Sequence, residues 1–392
     1  MPQPVPLPAG SFADDDFVAS IDRNDLVYVC CNVGDADAQV VLLPEDHGGM
    51  RRAIVVDAGR RDKVVDLLRA FGDAGLLALN GAGGNGANGD GDGAASAFPI
   101  ALVIGTHPHQ DHIAGMPQVL REFSGQIAEY WDPGYYHTLQ AYTKVMREIE
   151  NQPRLVYANP TSGLQRWFGR ASVTVLSPAI QLRNRFDTYG VEINDSSISL
   201  RIEAPATRVR MDGSRRTYVS DPDSAVLVLG ADAQTLSWSY VMADFPYLVK
   251  SESPIAKALR AAGGDWDALK ADVFKVSHHC SKHGISLELV ERMSPAVTIV
   301  SCDAAGGKYN FPHSVSQELL REALHPSTSS GQPHPVDHEL GIFYTFDHDS
   351  DQEPCGSIAV VARSKRRRRL WRFTDGAEDP IDFAKARRWA PA

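Results

Sequence analysis

The sequence predicts an α/β protein in which two sheets are covered by helices. Short apolar segments of strand length recur along the chain, among them "LVYVCCNV", "FPIALVIGTH", "SAVLVLGAD" and "AVTIVSC". Segments with helical spacing, such as "SVSQELLREAL", lie between some of them. With 392 residues, of which 43% are hydrophobic, the chain can bury one large core or two modest ones. Many short strands with interspersed helices favour packed sheets with helices outside them.

The N-terminal part is expected to open with small strands and hairpins. Residues 1–20 begin with a proline-rich stretch and are predicted to form a flexible tail, so that one domain spans residues 21–392. The segments "LVYVCCNV" and "AQVVLL" are predicted strands joined by the turn "GDAD", and "RRAIVVDAG" is a third strand.

A helix is predicted over "RDKVVDLLRAFGDAGLLAL", just before the glycine-rich residues 80–96. Those residues cannot bury enough apolar surface to order themselves, and we expect a flexible insertion there. The alternative is a linker between two domains, which is less favoured because the strand "FPIALVIGTH" follows at once. Later strands are predicted over "ASVTVLSP", "SSISLRIE", "ADVFKVSHH" and "SIAVVARS".

Two arginine-rich segments stand out. An inserted hairpin is predicted near residues 205–222, around the Asp-Gly turn of "TRVRMDGSRRTYV". Four of its arginines provide either ordinary surface charge or a substrate clamp: Arg208, Arg210, Arg215 and Arg216. The run "SKRRRRLWRF" either contacts phosphates or forms a solvated hairpin edge that charge protects against aggregation.

Composition narrows the class of protein. No apolar run is long enough for a signal peptide or a membrane span, so a cytoplasmic protein without a membrane partner is expected. Five cysteines without framework spacing predict reduced thiols. The net charge of −10 argues against indiscriminate binding to nucleic acid, although it leaves room for a local basic patch.

The segment "GTHPHQDHIAG" concentrates metal-binding residue types at the end of a predicted strand. Residues two apart in an extended chain point the same way, so His107 and His109 can hold one metal ion. Asp111 and His112 fall at the first turn of a predicted helix and can hold a second ion. The spacing therefore predicts a two-metal site.

Such a site needs further ligands, including carboxylates that compensate the cationic charge. Asp232 follows the apolar strand "AVLVLGAD", and His278 and His279 follow "ADVFKVSHHC". His313 stands in the loop "KYNFPHSV", ahead of a helix. Taken singly, Asp232 can equally be a turn residue and His313 a surface residue, but ligand types recur at strand ends.

"GTHPHQDHIAG" resembles the signature motif of the metallo-β-lactamase-fold hydrolases. "NVGDADAQVVLLPEDHGGMRRAIVVDAG", "NDSSISLRIE", "VLVLGAD", "DVFKVSHHCS" and "YNFPHSV" follow the order of segments in the metallo-β-lactamase domain of ComEC-type competence proteins. The resemblance implies an αββα sandwich, two mixed sheets flanked by helices. The membrane channel of the competence proteins has no counterpart here, so this chain is not expected to conduct DNA.

The resemblance implies seven metal ligands, namely His107, His109, Asp111, His112, Asp232, His279 and His313. Asp232 would bridge the two ions, and His279 would join His107 and His109 on the first.

Residues around the ligands also receive roles from the resemblance. Asp57 would orient ligands from behind, and His278 would pack or hydrogen-bond behind His279. His313 is the weakest match because Phe311 replaces the first histidine of the family's motif. His283 is the alternative, as a ligand or a catalytic proton donor. Cys280 replaces a glycine and is expected to be a buried filler rather than a thiolate ligand.

The implied function is metal-dependent hydrolysis. Two divalent ions that share a water lower its pKa, and Asp111 would orient the resulting hydroxide as a catalytic residue. Zinc suits the ligand set best, and manganese or iron can also occupy it. We expect a phosphodiesterase or nuclease-like activity on a nucleic acid or nucleotide. The alternatives are a lactone, β-lactam or thioester hydrolase, and a non-catalytic, metal-stabilised component of a larger assembly.

Overall fold

A computed structural model describes residues 10–60, 62–79, 98–183, 192–206, 208–212, 215–219, 223–246, 267–303, 309–325, 335–347 and 354–391. For residues 208–212 and 215–219 the backbone alone is described. The insertion predicted over residues 80–96 lies outside the described residues. None of the described helices has the length and hydrophobicity needed to cross a membrane.

Strands of the described chain form two large sheets and one hairpin. The first sheet has the spatial order β1 (Gly10–Asp14), β19 (Arg387–Pro391), β18 (Arg367–Arg372), β17 (Ile358–Ser364), β2 (Leu26–Cys30), β3 (Ala38–Leu42), β4 (Ala53–Ala58), β5 (Ile100–Ile104), β6 (Ile127–Trp131) and β7 (Val156–Ala158). The second has the order β16 (Ile342–Tyr344), β15 (Val297–Val300), β14 (Val273–Lys275), β13 (Ala225–Leu229), β10 (Ser199–Ala204), β9 (Ala171–Ser177) and β8 (Gln165–Phe168). The hairpin consists of β11 (Arg208–Asp212) and β12 (Arg215–Val219).

Both large sheets are mixed. In the first, β2, β3 and β4 pair antiparallel, whereas β4 to β7 pair in parallel. In the second, β13 to β16 are parallel and the pairs formed by β8, β9, β10 and β13 are antiparallel. The helices of the described chain are α1 (Phe17–Ser20), α2 (Lys63–Asp73), α3 (Gln110–Ile113), α4 (Met116–Glu122), α5 (Gln140–Glu150), α6 (Ile180–Arg183), α7 (Thr235–Asp244), α8 (Leu287–Met293) and α9 (Ser314–Leu324).

Alternating side chains divide the core into layers. Along β2, Val27 and Val29 belong to the cluster that contains α2, α4 and α5, while Tyr28 and Cys30 face the second sheet. The outer face of the second sheet packs on α7, α8 and α9. Each fully buried apolar side chain contributes about 1.5–3 kcal/mol. The predicted fold class, two mixed sheets flanked by helices, is therefore confirmed.

Residues 10–20, which the sequence places in a flexible tail, are instead part of the fold. β1 pairs with β19 along its whole length. Phe17 is fully buried, and its ring meets those of Trp371 and Phe373 edge-on at centroid distances of 5.3 and 5.0 Å. The partners of this segment lie near the other end of the chain, so local composition cannot reveal them.

The hairpin predicted near residues 205–222 corresponds to β11 and β12, with Asp212 opposite Arg215. It joins β10 to β13 at the sheet end where Ala204 lies opposite Ala225. Asp232 follows the other end of β13. The hairpin backbone therefore leaves the sheet at the end remote from Asp232, which counts against an arginine clamp beside that residue.

The basic run between residues 364 and 373 is mostly β18, which forms a hairpin with β17. Of this strand, Trp371 and Arg372 pair with β19, whereas the preceding arginines have no partner strand on that side among the described residues. An unpaired strand edge at the arginines is one requirement of the charged-edge alternative.

Candidate metal centre

The candidate centre lies where two pairs of parallel strands end. β4 and β5 are parallel neighbours in the first sheet, as β13 and β14 are in the second. Residues that follow parallel strands gather at one edge of a sheet, which brings together the motifs after β5, β13 and β14. The chain after β5 turns into α3, so Asp111 lies in the first turn of that helix.

Four side chains converge on one point. Ligand atoms of Asp111, His112, Asp232 and His279 all lie within 4.8 Å of one another. Oδ1 of Asp232 is 3.2 Å from Nε2 of His112 and 3.8 Å from Nε2 of His279. Asp111 is the most accessible member, with a side chain that is 41% exposed, whereas the other three are buried. The cluster is thus closed on the protein side and open beside Asp111.

Three atoms at this point lack hydrogen-bond partners. Within the part of the chain that the structure describes, His112 Nε2, His279 Nε2 and Asp232 Oδ1 are buried and make no well-directed hydrogen bond, although they lie close to one another. An unsatisfied buried polar atom costs about 1–3 kcal/mol. A bound cation would satisfy all three at once, so the donor set fits a divalent metal ion.

Hydrogen bonds at Nδ1 fix the orientation of the His112 and His279 rings, and with it the direction in which each Nε2 points. Nδ1 of His112 lies 2.7 Å from Oδ2 of Asp57, and Nδ1 of His279 lies 2.8 Å from the carbonyl oxygen of Ser301. When the ring is neutral and donates through Nδ1, it presents a lone pair at Nε2. Asp57 is itself held by Thr106, whose amide and hydroxyl donate to its two oxygens at 2.8 and 2.7 Å.

A second group of imidazoles surrounds the other oxygen of Asp232. Oδ2 lies 3.8 Å from Nε2 of His107 and 3.6 Å from Nε2 of His278. Nε2 of His107 is also 3.0 Å from Nδ1 of His109. The Asn194 amide nitrogen lies 3.3 Å from Nε2 of His278. The two oxygens of one carboxylate therefore face two different sets of histidines, as a bridging ligand requires.

Backbone conformation makes this arrangement possible. His278 and His279 both have left-handed φ angles, 49° and 51°, which cost energy in residues other than glycine and occur most often at functional sites. Gly59 lies against the centre, because a Cβ there would come within 2.1 Å of the Asp111 carbonyl oxygen. The glycine of "VVDAG" thus lets this loop approach the metal-binding motif closely.

Electrostatics keep the carboxylates ionised. Burial opposes ionisation of Asp232, but the His112 and His278 imidazoles hold its pKa well below its usual range. Burial also opposes ionisation of Asp111, whose pKa is lowered by His279 and His112. Burial disfavours charge on His112, yet Asp232 and Asp57 raise its pKa well above the usual value. Both carboxylates are therefore ionised and can compensate the charge of a bound cation.

Two of the predicted site residues lie outside these groups. Nδ1 of His313 accepts a hydrogen bond of 3.3 Å from the Val315 amide, so this imidazole caps α9. His283 is exposed, and its carbonyl oxygen accepts a hydrogen bond from Thr235. No hydrogen bond or ion pair joins the imidazole of His313 or His283 to the clusters in the described chain.

The structure groups the paired histidines differently from the sequence-based expectation. His279 lies with Asp111 and His112 rather than with His107 and His109. His278, expected to pack or hydrogen-bond behind His279, lies beside Asp232. The consecutive left-handed residues account for the difference, since they set where each imidazole points.

Cys280 is buried in the core beneath α8 and α9, and burial raises the pKa of its thiol to about 12. It is therefore a buried thiol, as expected for a residue that fills the position of a glycine.

Sequence reasoning missed a buried ion pair next to the centre. The ammonium of Lys275 contacts Oδ2 of Asp37, and both side chains are fully buried. Lys275 is the single charged residue in the apolar segment "VFKV". A lone charge inside a buried strand requires a partner, and this signal could have found the pair.

No protein-family model matches the sequence, and no curated protein is significantly similar to it. Solved structures with a similar fold include the metallo-β-lactamase fold protein YhfI from Bacillus subtilis. The identity is 13% and the TM-score 0.37, and the alignment covers 76% of this chain and 92% of that one.

A long form RNase Z from yeast shows 13% identity and a TM-score of 0.35, over 71% of this chain and 37% of that one. CmlA, a diiron β-hydroxylase from Streptomyces venezuelae, shows 13% identity and a TM-score of 0.34, over 77% of this chain and 51% of that one. The chain thus spans about half or less of the length of these two proteins. At such identities and scores, their activities do not transfer to this chain.

Proposed function

We propose that this chain is a metal-dependent hydrolase of the metallo-β-lactamase type, which binds two divalent cations and cleaves phosphodiester bonds. The observation that supports the proposal is the position of Asp232, whose Oδ1 faces His112 and His279 while Oδ2 faces His107 and His278. A buried carboxylate between two sets of imidazoles is the ligand arrangement of a two-metal site.

Each cation would have its own set of ligands. One set is Asp111, His112, Asp232 and His279, and the other is His107, His109, His278 and Asp232. These nitrogen and oxygen donors suit zinc best, and manganese or iron also accept them. When bound, such ions lower the pKa of water and polarise the bond to be cleaved.

The chain's own residues supply position and charge. Asp57 and Ser301 hold the His112 and His279 rings through Nδ1 and keep both Nε2 atoms directed at one point. Asp111 is accessible and ionised, so its carboxylate can accept a hydrogen bond from the attacking water and orient it. Catalysis would therefore take place on the open side of the cluster, beside Asp111.

Two observations favour a neutral substrate as the second candidate. The arginine-rich hairpin leaves the second sheet at the end of β13 remote from Asp232. Lys275 forms a buried ion pair with Asp37, so its charge is already compensated. A lactone or thioester gains less negative charge than a phosphodiester during hydrolysis, and depends less on nearby cations.

The deciding experiment is an activity screen of the purified chain loaded with zinc, manganese or iron. Substrates are bis-p-nitrophenyl phosphate, short DNA and RNA strands, a lactone, a thioester and nitrocefin. Phosphodiester cleavage that Asp232→Asn and a chelator both abolish supports the proposal. Cleavage of a neutral substrate alone would establish the second candidate. A folded, metal-loaded chain that cleaves none of these substrates would contradict both.

A further inference from the structure

A pocket of about 470 Å³ lies at the end of the first sheet remote from the metal centre. One wall is the end of α1 with the loop that follows, and the other is the turn region of the β17–β18 hairpin. Leu26 of β2 is opposite Ala362 at this end, whereas Cys30 and Ile358 mark the other end of the same pairing. The chain reaches the metal-centre side only after β2, through the loop that contains Asp37.

Guanidinium groups dominate the pocket. Four arginines line it, and two of them are fixed by carboxylates. Arg369 lies 2.6 Å from Asp25, and Arg368 lies 3.0 Å from Asp272. These pairs hold the two side chains in place, so their positions are set before any ligand arrives.

The other two guanidinium groups retain donors for a ligand. Arg363 is 3.4 Å from Asp22, and both side chains are more than two-fifths exposed, so this ion pair is weak. Arg367 is exposed and makes no hydrogen bond or ion pair within the described chain. The four guanidinium groups thus outnumber the three carboxylates that pair with them.

Protection of a sheet edge does not explain this arrangement by itself. Edge protection needs charges that point into solvent, whereas these four side chains line one concavity. The chain has a net charge of −10, yet six of the seven residues from Arg363 to Arg369 are basic. Such a concentration of like charge is stabilised by an anion.

We propose that this pocket binds a phosphate group of a small phosphorylated ligand, a phosphomonoester or a diphosphate. The planar guanidinium fork matches two phosphate oxygens, and a phosphomonoester carries up to two negative charges near neutral pH. The volume lies within the range of small-molecule sites, about 300–1,000 Å³. The site is separate from the metal centre and does not depend on the proposed hydrolysis.

The test is calorimetric titration of the metal-free full chain with inorganic pyrophosphate and with inorganic phosphate. Metal-free protein is used so that neither probe can bind at the metal centre. We expect saturable binding, and we expect the double variant Arg363→Ala, Arg367→Ala to weaken it at least about tenfold. Arg366→Ala is the matched control, because that side chain is 82% exposed on the same turn and does not line the pocket.

A second variant separates specific recognition from general charge. Arg363→Lys with Arg367→Lys keeps both charges but removes the guanidinium forks, and we expect intermediate affinity. The absence of saturable binding to the wild-type chain would overturn the proposal. Wild-type affinity in the alanine double variant would also overturn it, as would an equal loss in Arg366→Ala. Thermal unfolding checks that every variant is folded.

Discussion

Lys275 and Asp37 form an ion pair that is completely buried beside the candidate metal centre. The second oxygen of Asp37 lies 3.9 Å from Nδ1 of His279, and the Asp37 amide donates a hydrogen bond of 3.1 Å to the carbonyl oxygen of Asp111. The pair therefore connects β14, which leads to His279, with the loop that supports Asp111. Through these contacts it belongs to the framework that positions two of the proposed ligands.

Replacement of Lys275 by methionine should cost about 3–5 kcal/mol of unfolding free energy, because the Asp37 carboxylate stays buried without a partner. The double variant Lys275→Met, Asp37→Asn removes both charges and should recover part of the loss. Denaturant unfolding of the metal-free chain measures both values. A single variant as stable as wild type, or a double variant no more stable than the single one, would show that the pair is not coupled.

The metal content of single histidine variants should depend on whether the replaced imidazole lies beside Asp232. Wild type is expected to hold about two ions per chain, as a two-metal site does. His278→Ala should hold fewer, because His278 lies beside the bridging carboxylate. His313→Ala should retain the wild-type content, because that imidazole caps α9. Mass spectrometry of protein purified without chelator measures the metal content of each variant. Loss of metal in His313→Ala, with wild-type content in His278→Ala, would restore His313 as the ligand.

Local features of the centre were accessible from sequence. The spacing of His107, His109, Asp111 and His112 is a local pattern, because strand and helix periodicity determine which side each residue faces. Asp232 is a candidate from sequence because it follows an apolar strand, and the structure places it in the same cluster as Asp111 and His112. The core layers follow from the alternation of apolar residues within each strand.

Features that depend on distant contacts or on unusual backbone angles were not accessible. Phe17 is buried against Trp371 and Phe373, which lie more than 350 residues away in the chain. The positions of the His278 and His279 imidazoles depend on consecutive left-handed backbone angles, which are uncommon outside glycine even though histidine adopts them more often than most residues. Tertiary context decides both cases.

Asp57 should affect the affinity for metal through His112, whose Nδ1 lies at hydrogen-bond distance, 2.7 Å, from Oδ2 of Asp57. Asp57→Asn keeps the shape of the side chain but removes its charge, so it should weaken metal binding about 10- to 100-fold. Competition with a chromophoric chelator measures this affinity. Loss of a carboxylate that orients a ligand commonly has this effect, whereas a purely structural role would leave the affinity of the folded variant unchanged.

The matched control is Asp267→Asn, which removes a buried carboxylate that pairs with Arg292 at 2.8 Å. Its partner belongs to α8, and neither residue is among the proposed ligands. The control should lower stability without changing metal affinity. Equal weakening of metal affinity in the two variants would mean that the effect of Asp57→Asn reflects general destabilisation.

The stabilisation conferred by metal should increase with pH. Burial opposes charge on His112, but Asp232 and Asp57 raise its pKa in the metal-free chain. The protonated imidazole therefore stabilises the metal-free fold. This contribution is fully present below the pKa of histidine in the unfolded chain, about 6.5, and is lost as the pH rises through the raised pKa of the folded chain. A metal ion needs the neutral ring, so protons compete with it over the same range.

Added zinc should consequently raise the melting temperature more at about pH 8 than at about pH 6. Calorimetric unfolding of zinc-loaded and chelator-treated protein at the two pH values measures this difference. Asp57→Asn removes one of the two carboxylates that raise the His112 pKa, so the difference should shrink in that variant.

Burial lowers the pKa of His107, and the nearby His112 lowers it further, so that ring is already neutral and adds little to the pH dependence. A zinc effect that is equal at both pH values, or larger at the lower one, would contradict a ligand role for His112.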